Sequence, residues 1–201
     1  MAATATGFNP GAGTGYYMYF PRCLRIMNLY LRFLRLLLLL PFTRRRALLE
    51  PGRVRFRVWP TDCDINLHMN NGRYLTFMDL GRVHLLAQIG LLRALIRRRW
   101  TPVLSAAEIN FIRPVRPLQR FDLVTRLLTW DEKYFYIEQR FLAAGRLCAV
   151  AMVKGLFLHG HARVESRAVL DLLGLEMAPP DMPEAVRHWN DLSSLKKQHL
   201  G

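Results

Sequence analysis

The stretch Arg53-Val-Arg-Phe-Arg-Val-Trp-Pro-Thr-Asp-Cys-Asp-Ile-Asn-Leu-His-Met-Asn-Asn-Gly-Arg-Tyr74 decides how the chain is read. Val54, Phe56 and Val58 alternate with Arg53, Arg55 and Arg57, which is the pattern of a half-buried strand. Pro60 ends the strand because it has no N–H to give to a ladder. Asp62, Asp64, Asn66, His68, Asn70 and Asn71 then fall within ten residues. Next comes a run with Tyr74, Phe77, Met78, Val83, Leu85 and Leu86 at helical spacing, predicting a helix from Asn70 to Gln88 that is buried over most of its surface. The polar cluster therefore sits on a strand-to-helix loop, a place where a rigid scaffold can present chemistry.

Spacing gives the cluster its meaning. Asp64, Asn66 and His68 recur at every second position, which in extended or irregular chain turns their side chains to one side. A carboxylate, an amide and an imidazole so placed can activate water, orient an acyl group and move a proton. The competing reading is structural: Asp62 or Asp64 forms a turn, Asn70 or Asn71 caps the helix, and His68 packs. One loop can do both. Cys63 lies between the two aspartates, and its motif neighbours point it away from them.

Beyond the helix, Asp79 and Arg82 are spaced to pair at i, i+3. Gly90 breaks the helix, and Leu91 to Arg99 forms a second short one with cations at its negative end. Strands follow at 101–112, 121–129, 134–142 and 146–158. They are joined through Pro114 and Pro117, then Trp130-Asp-Glu-Lys133, then Ala144-Gly145, so that neighbours pair as antiparallel hairpins. One strand, a long helix and four strands predict an α+β fold with an antiparallel sheet wrapped around the helix. Arg113, Arg116 and Arg120 surround the Pro-rich loop, either holding phosphates or forming a solvated rim. Glu108 is either a second acid/base group facing the cleft or, the favoured reading, an outward, solvated residue. Arg163 to Leu173 and Glu184 to Gln198 are read as helices in an extension over 161–201.

The formal net charge of +14 is concentrated in the first 160 residues. Such a chain attracts nucleic acid, an anionic membrane surface or an anionic ligand, but no finger spacing, aromatic RNA-binding motif or long basic tract supports nucleic acid. Three sparse cysteines predict free thiols in a reducing, cytoplasmic setting. No metal signature is present, and no cofactor is called for. Residues 1–15 read as disordered, and 16–46 as an amphipathic helix region. There, Arg25, Asn28, Arg32 and Arg35 share an arc of about 80°, with Leu24, Met27, Leu31, Leu34 and Leu38 on or near the other side. Arginines inside the apolar run disfavour a span. The helix then lies on anionic lipid, or packs on the domain or a dimer partner.

Thr61-Asp-Cys-Asp-Ile-Asn-Leu-His-Met-Asn-Asn-Gly-Arg-Tyr74 resembles the hotdog-fold thioesterases, in which an Asp-rich segment and His-x-Asn-Asn-x-x-Tyr open the central helix. Asp64, Asn66 and His68 resemble the Asp-x-Asn-x-His motif of plant acyl-carrier-protein thioesterases. Asp62-Cys-Asp64 resembles the 4-hydroxybenzoyl-CoA thioesterase motif, with the essential carboxylate falling on Asp64; Leu67 departs from a glycine there. Across residues 51–160 the chain looks most like the thioesterase superfamily member six group. The resemblance implies a hotdog domain that hydrolyses an acyl-CoA or acyl-carrier thioester, with a fatty acyl-CoA expected, at the interface of a homodimer or tetramer. It implies catalytic Asp64, Asn66 and His68, and substrate contacts from Asn70, Asn71, Tyr74, Arg113 and Arg116. The alternatives are an acyl-binding protein without turnover and an enoyl-thioester hydratase, whose Asp-to-His spacing is one residue longer.

Overall fold

The computed structural model describes residues 22–39 and 43–200, with side chains in the first helix from Tyr30 to Leu38. The segment 1–15, expected to be disordered, lies outside the described residues, as does the start of the 16–46 region. In chain order the elements are α1 (Arg22–Leu39), β1 (Gly52–Arg57), a 3-10 turn (Pro60–Asp62), α2 (Asn71–Gln88) and α3 (Leu91–Arg98). There follow β2 (Trp100–Phe111), β3 (Arg120–Trp130), β4 (Phe135–Ala143), β5 (Arg146–His159), β6 (Ala162–Val164), α4 (Ser166–Asp171) and α5 (Glu184–Leu200).

The sheet is antiparallel throughout, in the order β1-β3-β4-β5-β2. β6 pairs β5 at Phe157–His159, beyond the end of β4. The β4–β5 hairpin closes through Ala144 (φ 49°) and Gly145 (φ 73°), the positive-φ pair that matches the twist of a tight hairpin. This is the wrapped sheet that the alternation and element order predict. One element differs: residues 163–173 are not a single helix. Gly160 (φ 60°) reverses the chain, so 162–164 join the sheet and only Ser166–Asp171 is helical.

α2 is buried because nearly every side that it turns meets something apolar. Phe77 is wedged between Phe56 and Phe121, each with its ring centre 5.0 Å away. Fully burying such a ring contributes roughly 1.5–3 kcal/mol. Gly81 brings the helix onto the sheet: a Cβ there would lie 2.7 Å from Leu123 Cδ2 and 2.8 Å from Thr125 Oγ1. Gln139, fully buried, ties the two layers. Its Nε2 donates to the Met78 carbonyl and to Thr125 Oγ1, both at 3.0 Å, and its Oε1 accepts from Arg82 at 2.8 Å. Arg82 also pairs with Asp79, as the i, i+3 spacing predicts. On the other face of the sheet, Val186 and Trp189 of α5 cover Tyr136.

The face of α2 not covered by its own sheet is a stripe with Leu75 and Asp79 exposed. It borders a cavity of about 310 Å³ whose walls include Val83, Leu86, Val103, Leu104, Ile137 and Phe157. β2, the strand on that side, is an edge strand.

Candidate active site

The loop between β1 and α2 folds as two successive turns. Pro60–Asp62 is a 3-10 turn that swings the chain inward and buries Asp62 to 1% exposure. The Asp62 carboxylate accepts from the Trp59 N–H at 2.8 Å and from Arg32 Nη2 of α1 at 2.6 Å, and Arg73 Nε of α2 lies 3.7 Å away. Its carbonyl accepts from the Asn70 N–H at 2.8 Å, so the turn is fixed to the entry of α2. Burial pulls the Arg32 guanidinium below its usual range, while the Asp62 hydrogen bond and charge counter that effect.

The second turn is closed from both ends. Cys63 and Met69 form a bridge, the Asp64 N–H donates to the His68 carbonyl at 3.0 Å, and the Leu67 N–H donates to the Asp64 carbonyl at 3.1 Å. The Asp64 carboxylate accepts the Asn66 N–H at 2.9 Å, an Asx-type turn, and Leu67 takes φ 55°. The segment is thus a curled loop, not the extended chain in which every second side chain aligns. Asp64 and His68 are half-buried at its base and Asn66 is exposed at its tip. Among the described residues the His68 imidazole makes no hydrogen bond or ion pair. Ile65 and Leu67 are 97% and 69% exposed, two apolar side chains held out on either side of Asn66.

Asn70 caps α2, its Oδ1 accepting the Gly72 N–H at 3.0 Å. One of the helix's first backbone donors is therefore already used within the chain. Asn71 is exposed at the helix start. Tyr74, expected to contact substrate, is placed in the core instead, its ring against Phe111 and Phe141 at 4.9 and 4.8 Å. Burial pushes its hydroxyl up to about 12. A position four residues past the cap turns inward on this helix, into the aromatic layer. Burial, and then the charges of Asp62 and Asp64, also raise the Cys63 thiol, keeping it protonated and a poor nucleophile.

The Pro-rich loop between β2 and β3 borders this site. The Met69 N–H donates to the carbonyl of Val115 at 2.9 Å, and Val115 is fully buried. Arg113 and Arg116 therefore flank an anchored residue, and both are exposed. Arg113 Nη1 donates to the Leu147 carbonyl at 2.8 Å, which leaves the rest of its guanidinium fork facing outward. Glu108 is partly exposed and accepts from Asn110 Nδ2 at 3.3 Å.

Sequence reasoning missed the cations on Asp62. Arg32 is thirty residues distant, and Arg73 meets Asp62 only because the 3-10 turn doubles the chain back; no periodicity encodes either register. Neither the 310 Å³ cavity nor a larger one of about 660 Å³ between Trp130, Ser166, Leu170 and Met177 is lined by Asp64, Asn66 or His68. In the single chain the candidate site is an open polar shelf at the N-terminal end of α2, and the apolar cleft lies farther along, between the helix's second half and the start of β2.

Comparison with known proteins agrees with this architecture. Residues 58–190 match the thioesterase-like superfamily. Protein THEM6 of Xenopus laevis is 35% identical over 142 residues, covering 68% of this chain and 67% of that one. Protein THEM6 of Drosophila melanogaster is 32% identical over 165 residues, covering 79% and 82%. The crystal structure of the YbaW probable thioesterase from Escherichia coli superposes with a TM-score of 0.55 at 19% identity, over 60% of this chain and 94% of that one, a likeness of fold. With its α+β hotdog architecture, the chain belongs to the thioesterase-like superfamily and stands among its thioester hydrolases.

Proposed function

We propose that the protein hydrolyses the thioester of a fatty acyl-CoA, with Asp64 as the group that activates the attack. The observation that carries this reading is the closed Asp64–His68 turn, which holds a carboxylate and an imidazole at the base of one loop beside Arg113 and Arg116. A thioester carbonyl carbon accepts an oxygen nucleophile, the C–S bond breaks, and the thiolate leaves with a proton. Asp64 either takes a proton from water as that water attacks, or attacks directly to give an anhydride that water then opens. Both routes balance, yielding free acid and thiol. The imidazole of His68, without a polar partner among the described residues, supplies the proton to the leaving sulfur, and Asn66 orients water or the acyl oxygen. Arg113 and Arg116 take the phosphates of the coenzyme. The acyl chain lies in the apolar cleft between α2 and β2.

A homodimer completes this site. β1 is an edge protected by outward arginines, whereas β2 is a twelve-residue edge with Leu104 and Phe111 exposed, the kind of edge that pairs with another strand. Pairing of two β2 strands would close the cleft and cover the exposed loop tip at Ile65 and Leu67. The test is a panel of acyl-CoAs of increasing chain length, scored by thiol release and by binding, with wild type beside Asp64→Asn. Turnover that rises with chain length and is lost in a variant that still binds is expected. Binding without turnover by the wild type would replace the proposal with an acyl-binding function.

A further inference from the structure

The first helix is turned opposite to what its arginines would suggest. Arg32 does not face water: it is driven into the domain, where it pairs with Asp62, donates to the Arg57 carbonyl at 3.0 Å and lies 4.6 Å from the Phe77 ring centre. Leu36, one turn on, enters the main core at 5% exposure. These two residues define the docked side of α1. The other side holds Tyr30, Leu31, Phe33, Leu34, Leu37 and Leu38, all exposed. At 100° per residue those six cover an arc of about 160°, and the exposed Arg35 stands at its border.

We propose that this outer face of α1 is a docking surface for an anionic phospholipid bilayer. A helix in a membrane interface sinks an apolar arc to the depth of the headgroup–acyl boundary and keeps cations at the arc's edge. Arg35 has that position. Arg44 and Arg45, just past the helix, and Arg57, whose carbonyl receives Arg32, are all exposed on elements that flank it. Among the described residues no single helix is long and apolar enough to cross a bilayer, so the geometry is that of lying on the surface. A second copy of the chain is the weaker occupant of this face, because pairing it with itself would bring the exposed Arg35 and Arg44 at its edge against cations of the same kind, whereas an anionic surface attracts them. The buried Arg32–Asp62 pair has a clear part in this arrangement: it holds one guanidinium of the stretch against the domain, away from lipid, and it fixes which face is presented.

The experiment is flotation of the full-length protein with vesicles of phosphatidylcholine alone and of phosphatidylcholine with phosphatidylglycerol. It compares wild type with Leu31→Glu/Leu34→Glu/Leu38→Glu and with Arg35→Glu/Arg44→Glu. Wild type is expected to float with the anionic vesicles, at least tenfold more than with the neutral ones, and less as salt rises. The glutamate triple is expected to lose binding by about a hundredfold or more, and the charge reversal to lose the preference for anionic lipid. All three replaced leucines are exposed, so an unchanged melting curve certifies the fold. Wild type left unbound by anionic vesicles would overturn the proposal, as would a triple variant that floats like wild type. So would an oligomer that dissociates in the triple variant while no vesicle binding is seen, which assigns the face to a second copy. None of these readouts depends on hydrolysis.

Discussion

The turn at Pro60–Asp62 and the turn at Asp64–His68 are neighbours in one loop, each built around an aspartate, yet they are made in opposite ways. Asp62 is wrapped by a backbone N–H and two guanidinium groups from α1 and α2, and water hardly reaches it. Among the described residues the Asp64 carboxylate has only the Asn66 N–H of its own turn, and the three residues after it are exposed. A carboxylate that is fully bonded and buried is a fastener: its lone pairs are used and it has nothing to offer a substrate. A carboxylate held by one local N–H keeps its orientation and retains acceptor capacity. In the proposed mechanism the loop separates holding from reacting, with the buried Asp62 two residues from the carboxylate assigned to the reaction, so that the second inherits the rigidity of the first.

Substitutions test that division by how differently the two halves respond. Asp62→Ala strands Arg32, Arg73 and the Trp59 N–H, and is expected to lower unfolding free energy by about 3–5 kcal/mol in urea titration, and to loosen α1. Asp64→Ala should change it by no more than about 0.5 kcal/mol; equal losses would erase the distinction. Arg113→Ala gives up an exposed hydrogen bond to the Leu147 carbonyl and, in the proposed role, a phosphate contact, so KM for a CoA thioester should rise roughly tenfold, a loss of about 1.4 kcal/mol, with kcat nearly intact. A simple acyl thioester lacking phosphates should show no such change. Asn70→Ala removes the cap that joins the loop to α2 and should cost about 1 kcal/mol of stability.

The smallest effect gives the background against which the loop is read. His84, buried far along α2, is held below the ordinary histidine value of 6.5 by burial and then by the charge of Arg46. The unfolded chain therefore takes up this proton first as pH falls, so stability should be flat above 6.5 and decline as pH drops through it towards the lowered value. His84→Gln should flatten that decline in thermal melts between neutral and mildly acidic pH.

Much of this architecture is legible in the residues. The Arg-Val-Arg-Phe-Arg-Val alternation places β1, and the apolar run after Asn70 places a helix with scarcely a polar side. Pro, Gly and Asp-rich breaks locate the hairpins. A cap at Asn70 or Asn71 is written in their position before the helix, and the structure uses Asn70. What depends on long-range register is not legible. The approach of Arg32 to Asp62 is set by how α1 crosses the domain, and the inward turn of Tyr74 by which aromatic rings meet it. The curl at 64–68 arises from an Asx turn and the positive φ of Leu67, local choices that an every-second-residue pattern does not reveal. The strand at 162–164 escapes for a related reason: a three-residue segment is defined by its partner, β5, more than by its own pattern.

Whether Asp64 reacts and Asp62 fastens is decided by measuring kcat for acyl-CoA hydrolysis and the melting temperature of Asp62→Asn and Asp64→Asn side by side. Asp64→Asn is expected to melt like wild type and to lose about 10²–10⁴-fold in kcat, while Asp62→Asn is expected to melt well below wild type and to keep most of its turnover when assayed folded. An Asp64→Asn protein with wild-type kcat, or an Asp62→Asn protein that stays stable but inactive, would contradict that division of roles.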